Sequence, residues 1–144
     1  MKGPPFLVGR LMSLADQLHV QYCHGVRKGQ VPPQLVGNAL MATALEQPQK
    51  AVDLLAQRLL PYQAWARTVQ VKESDPEEVK KTARLAKFFL AELGRLSAEL
   101  KDLKLPATSG DGDKAEMLLG YLATPEKTKA NSDQPEPTKQ GVIA

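Results

Sequence analysis

The chain has 144 residues, 42% of them hydrophobic and seven of them aromatic, with a formal net charge of +3. That length suits one domain, and an apolar set dominated by Ala and Leu favours helix over a sheet rich in Val, Ile and Tyr. A single cysteine, Cys23, excludes a disulfide framework, and no apolar run approaches the roughly 18 residues of a membrane span.

The opening MKGPPFLVGR does not read as a signal peptide. Two prolines follow Lys2, and Arg10 and Asp16 interrupt what would be its apolar stretch. A reducing, cytoplasmic setting without membrane contact is therefore the expectation. The charge is uneven. Residues 1–104 carry 15 Lys+Arg against 10 Asp+Glu, whereas residues 105–144 carry 4 against 6. The more basic part suits a polyanionic partner.

Taken in chain order, Leu7, Leu11, Leu14, Leu18 and Tyr22 recur at spacings of three and four, which predicts a helix from about Pro4 to Tyr22. Pro4 and Pro5 fit its first turn, where a missing N–H costs little. Gly25, Gly29, Pro32 and Pro33 predict a loop around Arg27 and Lys28. A second helix is expected from near Pro33 to near Glu46. Its small residues, Gly37, Ala39, Ala42 and Ala44, allow neighbours to come close.

Pro48 opens a third helix with Val52, Leu55, Ala56, Leu59 and Leu60 on its apolar face. Pro61 kinks or ends it, so Tyr62 to Val69 form a bent continuation or a short separate helix. The fourth helix has the clearest signature. Ser74-Asp75-Pro76-Glu77 supplies a cap, a first-turn proline and early acids, and Val79, Leu85, Ala86, Phe89, Leu93, Leu96, Leu100 and Leu103 share one side.

Residues 107–113 read as a loop, with Asp113 capping a last helix over about Lys114 to Ala123. The polar, proline-containing stretch from Thr124 onward predicts a disordered tail. The expected fold is thus all-α. It is a compact bundle of four to five helices over residues 1–123, followed by a disordered tail over 124–144.

No set of residues completes an enzyme. His19 and Cys23 share a helix face and adjoin His24, but a zinc site needs about four ligands, and a thiol nucleophile needs an orienting third group. A buried thiol beside an interfacial histidine is the simpler reading. Asp111, Asp113 and Glu116 lack the remaining positions of a calcium loop. A non-catalytic protein with no metal or cofactor is expected.

The fourth helix offers a charged face. With Lys80 placed at zero and 100° per residue, Arg84 falls near 40°, Lys87 near −20° and Arg95 near 60°, opposite the leucine side. These four cations are candidate phosphate contacts, as are Arg10, Arg27, Lys28, Arg58 and Arg67. The alternative for the stripe is an ordinary solvated face laced by Glu77–Lys81, Glu92–Arg95 and Arg95–Glu99 pairs. Aromatics do not interleave with these cations, so any contact is expected to be to phosphates and indifferent to sequence.

Three stretches carry a family resemblance: PFLVGRLMSLADQLH (5–19), NALMATALEQPQKAVDLLAQRLLPYQ (38–63) and MLLGYLA (117–123). In this order they resemble the helical C-terminal region of the large subunit in type I-C CRISPR surveillance complexes. In that family the region can be translated separately, from an internal start, as the small subunit. The resemblance implies an all-α bundle packed beside the backbone subunits and the large subunit, in more than one copy. It implies contact with target DNA, as the guide RNA–target DNA heteroduplex or the displaced strand, with cleavage left to a recruited nuclease-helicase. Arg10 is the basic position within the matched motif, with a structural role as its alternative. Guide pairing supplies sequence specificity in such systems, so the protein needs only charge and shape. The competing expectation is a purely structural module, packing through faces 35–44 and 59–66 with Leu60, Tyr62 and Trp65 as anchors.

Overall fold

A computed structural model describes residues 3–123, and the tail expected over 124–144 lies outside them. Six helices follow one another: α1 (Pro4–Val26), α2 (Val36–Glu46), α3 (Pro48–Arg58), α4 (Leu60–Thr68), α5 (Glu77–Lys101) and α6 (Asp111–Leu122). No strand occurs among the described residues. The all-helical expectation holds, with one helix more than four to five. The extra one arises where Pro61 enters the first turn of α4 and Leu59 both ends α3 and caps α4.

The first helix is the axis of the bundle, in contact with all five others. It buries 15 of its 23 residues, so its buried surface wraps well beyond the leucine stripe read from the sequence. Leu11, Leu14 and Leu18 are almost fully enclosed, and so are Val8, Met12 and Ala15 between them. Two left-handed residues, Lys28 and Gly29, turn the chain away from its end. Gly25 is helical and not part of the expected loop. A Cβ there would lie 2.5 Å from the Trp65 ring, so the glycine leaves room for the indole against this last helix turn.

Glycines also set how closely α1 meets its neighbours. A Cβ on Gly9 would collide with the backbone carbonyl of Met117, and one on Gly120 with that of Phe6. α1 and α6 therefore cross backbone to backbone. Gly37 does the same for α2, against the carbonyl of Met12. Close approach along the small-residue segment was legible in the sequence, but its Gly9–Gly120 counterpart was not.

The fifth helix lies along α1 with Ala83, Ala86, Phe89, Leu93, Leu96 and Leu100 buried. Val79 is exposed in the first turn of α5, where it lines a cleft, and Leu103 is exposed beyond the helix, which ends at Lys101 and not at Leu103. Two expected caps also differ. Pro76, not Ser74 or Asp75, caps α5, while Asp75 accepts the Lys72 N–H at 2.6 Å and closes the preceding turn. Helix α6 begins at Asp111, so Asp113 lies inside it and reaches back to accept the Gly110 N–H at 3.2 Å. The loop before α6 is tied to the end of α2. Ser109 N–H donates to the Glu46 carbonyl, and Lys114 pairs with the Glu46 carboxylate at 3.0 Å.

Candidate nucleic-acid interface

The cations of α5 are held in different ways. Arg84 lies 3.6 Å from Glu77, both side chains well exposed. Arg95 donates to Glu92 at 3.0 Å and lies 3.6 Å from Glu99, so these two expected pairs form. The exposed Arg84–Glu77 and Arg95–Glu99 pairs are worth about 0–1 kcal/mol and give way readily to a phosphate, whereas the Glu92 side chain is largely shielded. Lys87 donates its ammonium to the Ala66 carbonyl at 3.1 Å and so caps the end of α4. Lys80 is half-buried. The expected Glu77–Lys81 pair is absent because Glu77 turns to Arg84. Lys81 is left with no carboxylate within ion-pair distance among the described residues.

Lys81 faces a cleft of about 750 Å³ between the C-terminal ends of α1 and α4 and the first turns of α5. Lys28 lines the same cleft from the turn after α1, and it too lacks a carboxylate partner among the described residues. Trp65 lines it from α4 and Gln21 and His24 from α1, with Glu78 as its acid. The indole is fixed from behind, edge-on to Tyr22 at 5.6 Å between ring centroids. Tyr22 meets Tyr62 at 4.8 Å, and Tyr62 stacks on His19 at 4.3 Å. This aromatic ladder packs α4 onto α1.

Of the candidate cations only Lys28 lines this cleft, with Arg27 before it at the end of α1. Lys80 and Arg84 lie on the α5 face opposite its leucine side, and Lys87 holds the Ala66 carbonyl next to Arg67. The remaining three are elsewhere. Arg58 closes α3. Arg95 is about 20 Å further along α5 at 1.5 Å per residue. Arg10 is half-buried where α1 meets α6, its Nε enclosed without a hydrogen-bond partner.

A second polar cluster is internal. Asp16 accepts from the Gly37 N–H at 2.6 Å, the Asn38 N–H at 3.1 Å and the Tyr121 hydroxyl at 2.5 Å. His19 Nδ1 accepts the Val36 N–H at 3.1 Å. Helix α2 has no capping side chain of its own at Leu35, so α1 supplies the caps for its first three N–H groups. Burial pushes the Asp16 carboxyl above its ordinary value, against the pull of Tyr121 and the two amides. Burial likewise lowers His19, opposed by Asp16 and assisted by Arg27. The fixed acceptor role requires a neutral ring.

Cys23 is fully enclosed, and burial pushes its thiol up, against Arg27, which makes it a poor nucleophile. His24 points away from it into the cleft and His19 is spent on α2, so the three do not converge. Asp111 and Asp113 lie in the first turn of a helix and not in a loop. Among the described residues no three His, Cys, Asp or Glu side chains group to hold a metal. None of the described helices is long and apolar enough to cross a membrane.

The faces expected to serve as protein contacts are largely spent inside. Val36, Leu40, Met41 and Ala44 are buried, and Tyr62 and Trp65 pack on the core, leaving Leu60 exposed. The exposed apolar residues gather instead on α6, at Leu118, Leu119 and Leu122.

No family model matches the chain, and no curated protein or solved structure matches it. Sequence reasoning passed over Lys81, which sits to one side of the Lys80 stripe, and Gln21. A polar signal did exist: Asp16, His19 and Gln21 interrupt the leucine-rich first helix on its buried side.

Proposed function

We propose that this chain is a non-catalytic subunit of an RNA-guided DNA surveillance complex, and that it holds a sugar–phosphate chain without reading its sequence. The reading is carried by one observation. Lys28 and Lys81, from separate segments and without carboxylate partners among the described residues, line one cleft, with Arg27 next to Lys28 at the end of α1. Such cations, brought to one cleft from the end of α1 and the start of α5, make a footprint for phosphates. The type I-C resemblance supplies the assembly. Its large and backbone subunits would flank more than one copy of this chain in the cytoplasm, and the heteroduplex or the displaced strand would supply the phosphates.

The test is direct. The full chain is titrated with single- and double-stranded DNA of several sequences over a range of salt. Binding indifferent to sequence is expected, with log K falling linearly against log salt at about 0.7 to 0.9 per phosphate contact. A Lys80→Ala, Arg84→Ala, Lys87→Ala variant should weaken all sequences alike. Absence of binding at low salt would overturn the reading.

A second reading, a helical adaptor that touches no nucleic acid, is favoured by the leucines on the outer face of α6. Loss of assembly in a Leu119→Ser, Leu122→Ser variant, together with no DNA contact by the parent chain, would establish it instead.

A further inference from the structure

The cleft between α1, α4 and α5 holds more than cations. Gln21 is only 9% exposed as a residue, but the amide at its tip, which has no hydrogen-bond partner among the described residues, still opens onto the cleft it lines. An amide presented to a cleft without a protein partner has its donor and its acceptor both available to a ligand there. Beside it stands Trp65, whose indole is braced by Tyr22 and by the missing side chain of Gly25. Lys28 and Lys81 complete the lining.

We infer that this cleft takes one unstacked nucleotide of a single strand. The base lies against Trp65 with its edge hydrogen-bonded by the Gln21 amide, and the adjoining phosphates meet Lys28 and Lys81. This rests on the nucleic-acid reading above and deepens it from phosphate contact to base capture. Each part of the lining answers one part of a nucleotide. An amide offers a donor and an acceptor together, as the Watson–Crick edge of a base does. An indole offers a flat face on which any base stacks. Two lysines from different elements suit the phosphates on either side of one sugar. Glu78, in the same lining, opposes a bare polyanion or an acidic peptide, neither of which would use the indole or the amide. About 750 Å³ is ample for one nucleotide.

Trp65 is the chain's only tryptophan, so its fluorescence reports on this cleft alone. The full chain is titrated with labelled oligo-dT, with an abasic oligomer of equal length and with polyglutamate. Tryptophan emission and label anisotropy are followed together. Oligo-dT is expected to bind and to quench Trp65. The abasic oligomer should bind more weakly without quenching, and polyglutamate should do neither. Gln21→Leu should weaken oligo-dT about fivefold and leave the abasic oligomer unchanged, within the range of one lost hydrogen bond. Lys81→Ala, an exposed change that keeps the fold, should lower the salt slope for both oligomers by about 0.7. Binding of oligo-dT with Trp65 unperturbed would overturn the base-capture inference and leave the phosphate reading standing. Quenching by polyglutamate equal to that by oligo-dT would assign the cleft to an acidic peptide. Failure of both oligomers to bind at low salt would remove the phosphate reading and this inference with it.

Discussion

Asp16 is the residue on which three helices depend. From α1 it caps two N–H groups of α2 and receives the Tyr121 hydroxyl of α6. Burial and the Asp16 contact push Tyr121 up to about 12, so its hydroxyl keeps its proton and remains a donor under ordinary conditions. Asp16→Ala would strand three buried or half-buried donors and is expected to cost about 2–4 kcal/mol in a denaturant titration. A loss below about 0.5 kcal/mol, the size of a neutral surface change, would show the cluster to be incidental.

Histidine 19 gives a pH dependence of definite sign. Its neighbours are the Val36 N–H from α2, Tyr62 from α4, Asp16 on its own helix and Arg27 at that helix's end. Burial lowers its native pKa below the ordinary 6.5, so the unfolded chain binds a proton first. Its contribution is complete above pH 6.5 and is lost as the pH falls through the lowered native value. Urea midpoints should therefore decline on acidification below 6.5, and His19→Gln should flatten that decline. Asp16 acts in the opposite sense. Its raised native pKa makes it take up a proton earlier in the fold than in the unfolded chain, so acidification through that value adds stability and offsets part of the His19 loss. An identical acid limb in His19→Gln would contradict the assignment.

At the scale of elements, glycines divide into those that hold helices together and those that do not. Gly120→Ala would drive a methyl into the Phe6 carbonyl, and since both atoms belong to helix backbone, α6 would have to lift from α1. The expected cost is about 1–3 kcal/mol or more in thermal unfolding, as for other overpacked cores. Gly94 in α5 has open space where its Cβ would be. Gly94→Ala should stabilise by about 0.5–1 kcal/mol through helix propensity alone. Equal effects at the two positions would rule out the close crossing.

Most of the element order was legible because the leucine spacing of α1 and α5 and the prolines at 4, 48 and 61 act locally. The differences arose wherever a tertiary partner overrode a local signal. Gly25 serves packing and not a turn: it stays in the helix, and the Trp65 ring fills the place of its missing side chain. Asp75 turned to Lys72 instead of capping α5. Helix α2 took its caps from Asp16 and His19, and the absence of any capping residue near Leu35 was the one hint that they had to come from outside.

For the molecule as a whole, the six helices leave two surfaces of distinct chemistry. One end, built from the C-terminal ends of α1 and α4 and the start of α5, combines lysines, a glutamine and an indole around a cleft. The outer face of α6 exposes leucines. The phosphate candidates were only half legible in the sequence. The Lys80 stripe follows from helical period, but three of its four members, Arg84, Lys87 and Arg95, are engaged by neighbours. The cleft unites residues far apart in the chain, which no local pattern encodes.

The central claim is that this end, and no other, grips nucleic acid. It is tested most directly by following every backbone amide of the isotope-labelled full chain by NMR while single-stranded DNA is added at low salt. The account expects shifts confined to the end of α1 and its turn, the end of α4 and the first turns of α5, reversed by added salt. Shifts centred on Leu118–Leu122, or none anywhere, would contradict it.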